Sequence, residues 1–198
     1  MILALFERPG GVETEEGAWV VYDLERDEAR FGAACVEGPA LVWVVARDGE
    51  ELAAFRPGVP LARGSEERLD PHLQVELELR GTTERLLRCD RVDFPPGSVA
   101  YRHVHPGPGV RRLLHGELTI DRGDGAPRTY RAGEAWFEGA DDPVLATASA
   151  SEETAFVRVL LLPAEWAGRR TIRYLDPADE ARPKLQRATI LLEEPLRL

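Results

Sequence analysis

Lysine is rare in this chain and asparagine is missing. Lys184 is the only lysine, no asparagine occurs, and the remaining basic residues are arginines. Acidic residues outnumber basic ones by 35 to 25, so the formal net charge is -10 at pH 7. Proteins bind duplex nucleic acid through a basic surface that neutralises phosphates. The acidic balance therefore argues against a nucleic-acid partner.

Long apolar runs and cysteine pairs are also missing. No run is long enough to span a bilayer, and Met1–Phe6 lacks the basic leader and small-residue cleavage site of a signal peptide. We therefore expect a cytoplasmic protein without a membrane segment. The two cysteines, Cys35 and Cys89, show no Cys-x-x-Cys spacing, so we expect buried thiols rather than a disulfide.

Helical periodicity is scarce, and short runs of β-branched, aromatic and leucine residues bounded by Gly, Pro and Asp recur instead. This pattern is typical of an all-β sandwich or barrel. One short helix is predicted at Asp176–Leu185, between Pro177 and Pro183. The predicted strands are Met1–Phe6, Ala18–Leu24, Arg30–Val36, Leu41–Ala46, Glu51–Phe55, Leu73–Leu79, Leu86–Phe94, Val99–His105, Val110–Asp121, Pro127–Tyr130, Glu134–Glu138, Val144–Ser149, Ala155–Leu162, Thr171–Leu175 and Ala188–Leu192.

The most informative stretch runs from Gly97 to Gly116. His103 and His105, two of the four histidines, lie one residue apart in a predicted strand. Because side chains on a strand alternate between faces, both imidazoles point the same way, with Tyr101 beside them. Imidazole is a ligand of zinc, copper, iron and nickel, but a tight site needs further ligands from elsewhere.

The spacing of this stretch resembles the first motif of the cupin superfamily, in which glycine, five residues, His-x-His, three or four residues, glutamate, six residues and glycine follow one another. Gly97, His103, His105 and Gly116 fall at these spacings, and residues 131–137 match the second motif loosely. The resemblance covers residues 86–163. It implies an RmlC-like jelly-roll barrel, a double-stranded β-helix, with additional N-terminal and C-terminal strands.

The resemblance also implies a metal site near the centre of the barrel. The ion would take two histidines and a glutamate from the first motif and a histidine from the second. His103 and His105 are present, but Gly109 stands at the glutamate position and Leu145 is the nearest fit to the later histidine. We therefore expect a degenerate site for a divalent metal (Zn, Fe, Mn or Ni). Other donors remain open, namely Glu138, Glu117, Asp141, Asp142 and His72.

Three further residues carry alternative interpretations. If alternation continues from Gly109, Arg111 enters the cavity and can hold an anionic ligand through a bidentate contact; otherwise it forms a surface salt bridge. Tyr101 is the best non-histidine candidate for the pocket, because a phenol can donate a hydrogen bond or pack on a ligand. His115 is expected at a solvated strand end.

Two functions are left open. The first is a cupin-domain protein whose small-molecule pocket is formed by Tyr101, His103, His105 and Arg111, with weak binding of a divalent metal. The alternative is a metal-dependent enzyme, a dioxygenase-like oxidoreductase or an isomerase, acting on a small polar metabolite through an ion held by His103 and His105. No phosphate-binding loop, dinucleotide fingerprint or nucleophile elbow is present.

The chain is predicted to divide into three segments. Residues 1–83 are a β-rich segment, and a hairpin pattern shared by Val44–Gly64 and Leu118–Gly139 leaves open a degenerate second cupin there. Residues 84–163 form the barrel, and 164–198 form an extension with a short helix and a terminal strand. Because Ala188–Leu192 would leave an unpaired edge, we expect a homodimer through terminal strands.

Overall fold

A computed structural model describes residues 1–58, 70–79 and 84–197. For residue 197 it describes the backbone alone. Antiparallel strands dominate it, which confirms the all-β prediction. The strands are β1 (Ile2–Arg8), β2 (Val12–Thr14), β3 (Trp19–Asp23), β4 (Glu28–Phe31), β5 (Ala34–Val36), β6 (Ala40–Ala46), β7 (Leu73–Glu76), β8 (Glu84–Phe94), β9 (Val99–Val104), β10 (Gly109–His115), β11 (Glu117–Asp121), β12 (Arg128–Arg131), β13 (Ala135–Glu138), β14 (Val144–Ala148), β15 (Thr154–Pro163), β16 (Arg173–Tyr174) and β17 (Arg187–Arg197).

The chain divides into two compact units. The first comprises Met1–Glu84 and Glu194–Leu198, and the second comprises Arg85–Glu193. The first contains the five-stranded sheet β4-β3-β6-β1-β7 and the two-stranded sheet β2-β5. Of the shared hairpin pattern, residues 59–64 lie outside the described residues.

The second unit is built from two five-stranded antiparallel sheets, β13-β10-β15-β8-β17 and β12-β11-β14-β9-β16. Alternate residues of these strands are apolar, so one face of each sheet can be buried. The buried faces supply one core cluster that includes Leu113, Leu118, Ile120, Trp136 and Phe156. Residues beyond Pro163, up to Glu193, belong to this unit.

One predicted strand is a helix. Residues Gly49–Ala54 form α1, where a strand was predicted at Glu51–Phe55 and a hairpin turn at Asp48-Gly49. The carboxylate of Asp48 accepts a hydrogen bond from the backbone N–H of Glu51 at 2.9 Å, and the Glu51 carboxylate accepts one from the N–H of Arg47 at 2.6 Å. The first bond satisfies an amide that the first turn of a helix leaves unpaired, and the second ties the residue before the cap to that turn.

Three other segments differ from the prediction. The strand expected at Arg30–Val36 is divided between β4 and β5, which belong to different sheets. The helix expected at Asp176–Leu185 is a short 3-10 helix, Pro177–Ala181, capped by the carboxylate of Asp176. The long strand expected at Val110–Asp121 is divided at Gly116, which has a φ of +75°. A Cβ atom there would approach the carbonyl oxygen of Glu153 to 2.5 Å, so only glycine fits this turn.

The two cysteines are not joined by a disulfide, and they differ in burial. Cys89 lies in the interior, whereas Cys35 is exposed, so the expectation of two buried thiols is wrong for Cys35. Among the residues that the structure describes, no helix has the length and apolar character needed to cross a membrane.

Candidate functional site

The inward face of the first sheet of the second unit carries a row of polar side chains. In the strand register, Arg111 lies opposite Trp136 on one side and Arg158 on the other, and Arg158 lies opposite Asp90. Register partners share a face of a sheet, so these four side chains form one row. We call it the polar row: Trp136, Arg111, Arg158 and Asp90.

The adjacent row, two residues further along the strands, is apolar. It consists of Leu113, Phe156 and Val92 in the same register. On the second sheet the corresponding wall is formed by Ile120, Ala146 and Ala100.

A cavity of about 430 Å³ lies between these walls. The polar row, His103 and His105 line one part of it, and Phe156 and Val92 of the apolar row line another. The cavity is therefore amphipathic along the barrel.

A β-bulge determines which residues of β9 reach the cavity. Ala100 pairs with Ala146 and His103 pairs with Val144, so three steps on β9 correspond to two on β14. The extra residue changes the alternation, and Ala100 and His103 both line the cavity while Tyr101 does not. The prediction that Tyr101 shares a face with the histidines is therefore wrong.

The two imidazoles face each other inside the cavity. His103 Nε2 and His105 Nε2 are 3.3 Å apart. His103 Nδ1 lies 2.7 Å from the carbonyl oxygen of Tyr101, and His105 Nδ1 lies 2.9 Å from that of Thr171. A carbonyl oxygen only accepts, so each Nδ1 carries the hydrogen and each Nε2 presents a lone pair.

Burial keeps both imidazoles in the neutral form. It lowers the pKa of His103 against the opposing effect of the Tyr101 carbonyl. Burial and the nearby Arg158 guanidinium lower the pKa of His105 well below its ordinary value of 6.5. At neutral pH, two lone pairs therefore point at each other across 3.3 Å.

Arg111 enters the cavity and pairs with a carboxylate. Its Nη2 lies 2.7 Å from Glu138 Oε2, and its Nη1 donates to the carbonyl oxygen of Gly109 at 2.6 Å. The Trp136 indole N–H donates to Glu138 Oε1 at 2.8 Å. Burial lowers the pKa of Arg111 to about 10, which leaves it charged at neutral pH. Although burial raises the pKa of Glu138, Arg111 and the indole outweigh it, so the net shift is downward.

Arg158 forms the second buried ion pair. Its Nε and Nη2 both donate to Asp90 Oδ2, at 3.0 and 2.8 Å, and Nη2 also donates to Thr171 Oγ1 at 3.1 Å. Its Nη1 lies 3.4 Å from His105 Nε2. The site thus holds two guanidinium groups balanced by two carboxylates.

Several buried polar atoms of the cavity wall lack a hydrogen-bond partner within the described part of the chain. They are the Oδ1 of Asp90, the Nη2 of Arg111 (which has only its ion pair with Glu138), the Oε1 of Gln186 and the hydroxyl of Tyr174. An unpartnered buried polar atom costs about 1–3 kcal/mol, so these atoms mark positions where a ligand or water can bind.

Known proteins resemble the chain in fold. No protein-family model and no curated protein matches it. The polyketide cyclase RemF from Streptomyces resistomycificus is 18% identical with a TM-score of 0.38, over 45% of this chain and 61% of that one. An RmlC-like cupin from Shewanella frigidimarina is 20% identical with a TM-score of 0.36, over 46% and 86% of the two chains. A cupin domain from Bordetella pertussis is 18% identical with a TM-score of 0.34, over 38% and 81%.

The motif residues Gly97, His103, His105 and Gly116 lie on and beside β9 and β10 of a unit made of two antiparallel five-stranded sheets. The second unit is thus an all-β, antiparallel two-sheet structure, the architecture that the motif implies. The chain spans less than two thirds of the length of RemF.

The donors in this cavity do not fit a resident divalent metal. His103 and His105 offer two nitrogens, but the third candidate, Glu138 Oε2, is 3.7 Å from His105 Nε2 and is paired with Arg111. The Arg158 guanidinium lies on the side of His105 where an ion would bind. Among the described residues, no group of three or more His, Cys, Asp or Glu side chains is arranged to hold a metal.

The two positions where the cupin motif lacks ligands are closed by packing. At Gly109, a Cβ atom would lie 2.5 Å from the carbonyl oxygen of Val159. On β14, the cavity-lining residues are Val144 and Ala146, so the position facing His103 is Val144 rather than Leu145. A carboxylate still reaches the site, because Glu138 pairs with Gly109 across the sheet.

The other candidates from the sequence lie outside the cavity wall. Glu117 pairs with Arg131, Asp141 with Arg173 and Asp142 with Arg122, all near the surface. The exposed His115 lies 3.1 Å from the carbonyl oxygen of Glu153. His72 is exposed and belongs to the first unit.

Sequence reasoning missed Asp90, Arg158, Thr171 and Tyr174. The sequence contains a signal for two of these residues, Arg158 and Asp90. Arg158 is the only charge in the apolar run 155–162, and Asp90 alternates with Val92 and Phe94 in β8. A single charge on the apolar face of a strand is costly unless it is paired inside, so its position predicts a buried ion pair.

Proposed function

We propose that the second unit binds a small amphipathic molecule inside its cupin barrel without a resident metal. The observation that carries this proposal is the division of one cavity into the polar row and an adjacent apolar row. A ligand with a polar head and an apolar body matches this division. Pockets for small molecules typically combine an apolar lining with a few polar groups that set orientation.

The apolar part supplies affinity. Phe156, Val92 and Ile120 offer a dry surface, and burying apolar ligand area there contributes about 25 cal/mol per Å². The paired charges add little further attraction, because each guanidinium is already neutralised by its carboxylate. They hold the polar atoms in place and determine which head group fits.

Exposed lining residues mark the opening of the cavity. Arg169, Arg170 and Ile190 line it and are exposed to solvent. Arg88 holds this rim in place, because its guanidinium donates to the carbonyl oxygens of Trp166 and Arg169 at 2.6 and 2.7 Å. A small molecule can therefore enter past an anchored segment.

The alternative is a metal-dependent oxidoreductase or isomerase. One observation favours it: the two Nε2 atoms at 3.3 Å converge on a point that an ion could share. The ion pairs of Arg111 and Arg158 oppose it. Elemental analysis of protein purified without added metal, compared with His103→Ala/His105→Ala, separates the two. One equivalent of metal that is lost in the variant would support the enzyme.

A matched pair of wall variants tests the binding proposal. Ala146 lines the cavity, whereas its neighbour Thr147 does not. We expect 2-naphthol to bind the wild-type chain in calorimetry, Ala146→Phe to weaken it at least about tenfold by filling the cavity, and Thr147→Phe to leave it unchanged. No binding to the wild type, or equal weakening by both variants, would overturn the proposal.

A further inference from the structure

We infer that the head group of the ligand is a hydrogen-bond donor, an aromatic hydroxyl, and not a carboxylate or another anion. This inference rests on the proposed function and specifies its ligand class. Two buried arginines in a cavity would ordinarily indicate an anion site. In this barrel, the contacts of both arginines with protein groups argue against an anion.

The guanidinium groups are engaged by the protein itself. Arg111 is held by the Glu138 carboxylate and the Gly109 carbonyl oxygen. Arg158 directs two N–H groups at Asp90. A bidentate contact with an incoming carboxylate would have to displace one of these partners. An added anion beside the imidazoles would also face the Glu138 and Asp90 carboxylates, where like-charge repulsion is weakly screened.

The atoms left without partners are mostly acceptors. His103 Nε2 and His105 Nε2 present lone pairs, and the Oδ1 of Asp90 and the Oε1 of Gln186 accept no hydrogen bond from any residue the structure describes. Three donors lie in the same wall: Arg158 Nη1 at 3.4 Å from His105 Nε2, Arg111 Nη2 in its ion pair with Glu138, and the hydroxyl of Tyr174. A ligand hydroxyl placed between the two imidazoles would donate to one of them and relieve the repulsion of the facing lone pairs.

Aromatic side chains in and beside the polar row indicate the body of the ligand. Phe94, Phe156 and Trp136 all line the cavity. The ring centroids of Phe94 and Phe156 lie 5.9 Å apart, and Trp136 meets Phe156 edge-on at 5.3 Å. Aromatic walls favour a flat ring, which gains edge-to-face contacts beyond its buried area. Hydroxyl head and aromatic body together describe a phenol.

A matched ligand series tests this inference on the wild-type chain. The probes are 2-naphthol, 2-methoxynaphthalene, which lacks the donor, and 2-naphthoate, which carries an anion. We expect 2-naphthol to bind at least about tenfold more tightly than either at neutral pH, since the other two leave the acceptors unmatched. Naphthol fluorescence gives a second readout, because an adjacent imidazole promotes emission from the naphtholate form.

The outcomes separate this inference from the proposed function. Tightest binding of 2-naphthoate, or equal binding of all three probes, would overturn the hydroxyl assignment while the amphipathic pocket stands. Binding of none of them would overturn both. His103→Leu should remove the preference for 2-naphthol over 2-methoxynaphthalene without weakening the latter. If that variant does not fold, the comparison on the wild-type chain still decides the inference.

Discussion

Arg111 and Glu138 form an ion pair with a 2.7 Å contact between side chains that are almost wholly buried in the barrel. The pair is completed by the Trp136 indole and stands directly beside the imidazole pair. It neutralises the carboxylate that lies 3.7 Å from His105 Nε2. The charge balance of the cavity therefore depends on this contact.

Removing one member of this pair should cost much more stability than removing both. Arg111→Met leaves the Glu138 carboxylate buried without its partner, and we expect a loss of about 3–5 kcal/mol in the free energy of unfolding. Arg111→Met/Glu138→Leu should recover most of that loss. Urea unfolding measures both values, and a double variant as unstable as Arg111→Met would show that the pair is not coupled.

The strand register predicts where a third imidazole would complete a metal site. Val144 faces His103 across the sheet, whereas Leu145 does not line the cavity. Val144→His should raise the affinity for Ni²⁺ at least about tenfold over the wild type, and Leu145→His should not change it. Calorimetric titration with Ni²⁺ measures this. A larger gain from Leu145→His would contradict the register.

The buried imidazoles should make the fold sensitive to mild acid. The pKa of His103 and that of His105 are both lowered in the folded chain, chiefly by burial. Unfolded histidines protonate near pH 6.5, so below that pH the unfolded state binds more protons than the folded one. The free energy of unfolding should therefore decrease as the pH falls from about 6.5 towards the folded-state pKa values.

The effect of the buried histidines can be separated from that of other titrating groups. The groups that face the imidazoles are Arg111, Arg158, Asp90, Glu138 and Tyr174. Because the pKa of Glu138 is lowered, its contribution to the free energy of unfolding is lost only as the pH falls below its ordinary value of 4.5. The loss of stability at higher pH is therefore due to the histidines. Replacing His103 and His105 by glutamine should flatten the dependence of the free energy of unfolding on pH above 4.5. His115→Gln, at an exposed site, should not change it. An unchanged slope in the double variant would contradict the assignment.

Association through the terminal strand remains a prediction. β17 is the edge strand of its sheet, and Arg187–Ile190 is exposed. An exposed edge can pair with a second copy, and lysine on an edge discourages such pairing. Light scattering should give a dimer for the wild type and a monomer for Thr189→Lys. A monomeric wild type would refute the expectation.

The sequence allowed the barrel and half of the site to be predicted. Regular alternation along β10 left open that Arg111 enters the cavity, and Arg111 lies in the cavity wall. Tyr101 was misplaced because a bulge depends on pairing between strands and leaves no periodic signal in one strand. The pairing of Arg158 with Asp90 joins residues 68 apart in the chain, so it requires the register of β8 against β15.

The helix that sequence reasoning missed has a different explanation, a local ambiguity at its start. Asp48-Gly49 fits a hairpin turn as well as it fits a helix start. The deciding contacts are the hydrogen bonds from the Glu51 N–H to the Asp48 carboxylate and from the Arg47 N–H to the Glu51 carboxylate. An acidic residue three positions after the cap is the signal that distinguishes the two.

The central claim is that the barrel binds its ligand through neutral imidazoles and paired charges, without a metal. Calorimetric titration of the wild-type chain with 2-naphthol, in the presence and absence of a strong chelator, tests it most directly. We predict one binding site with the same affinity in both conditions. Binding that is lost in the chelator and restored by added zinc, iron, manganese or nickel would contradict the claim.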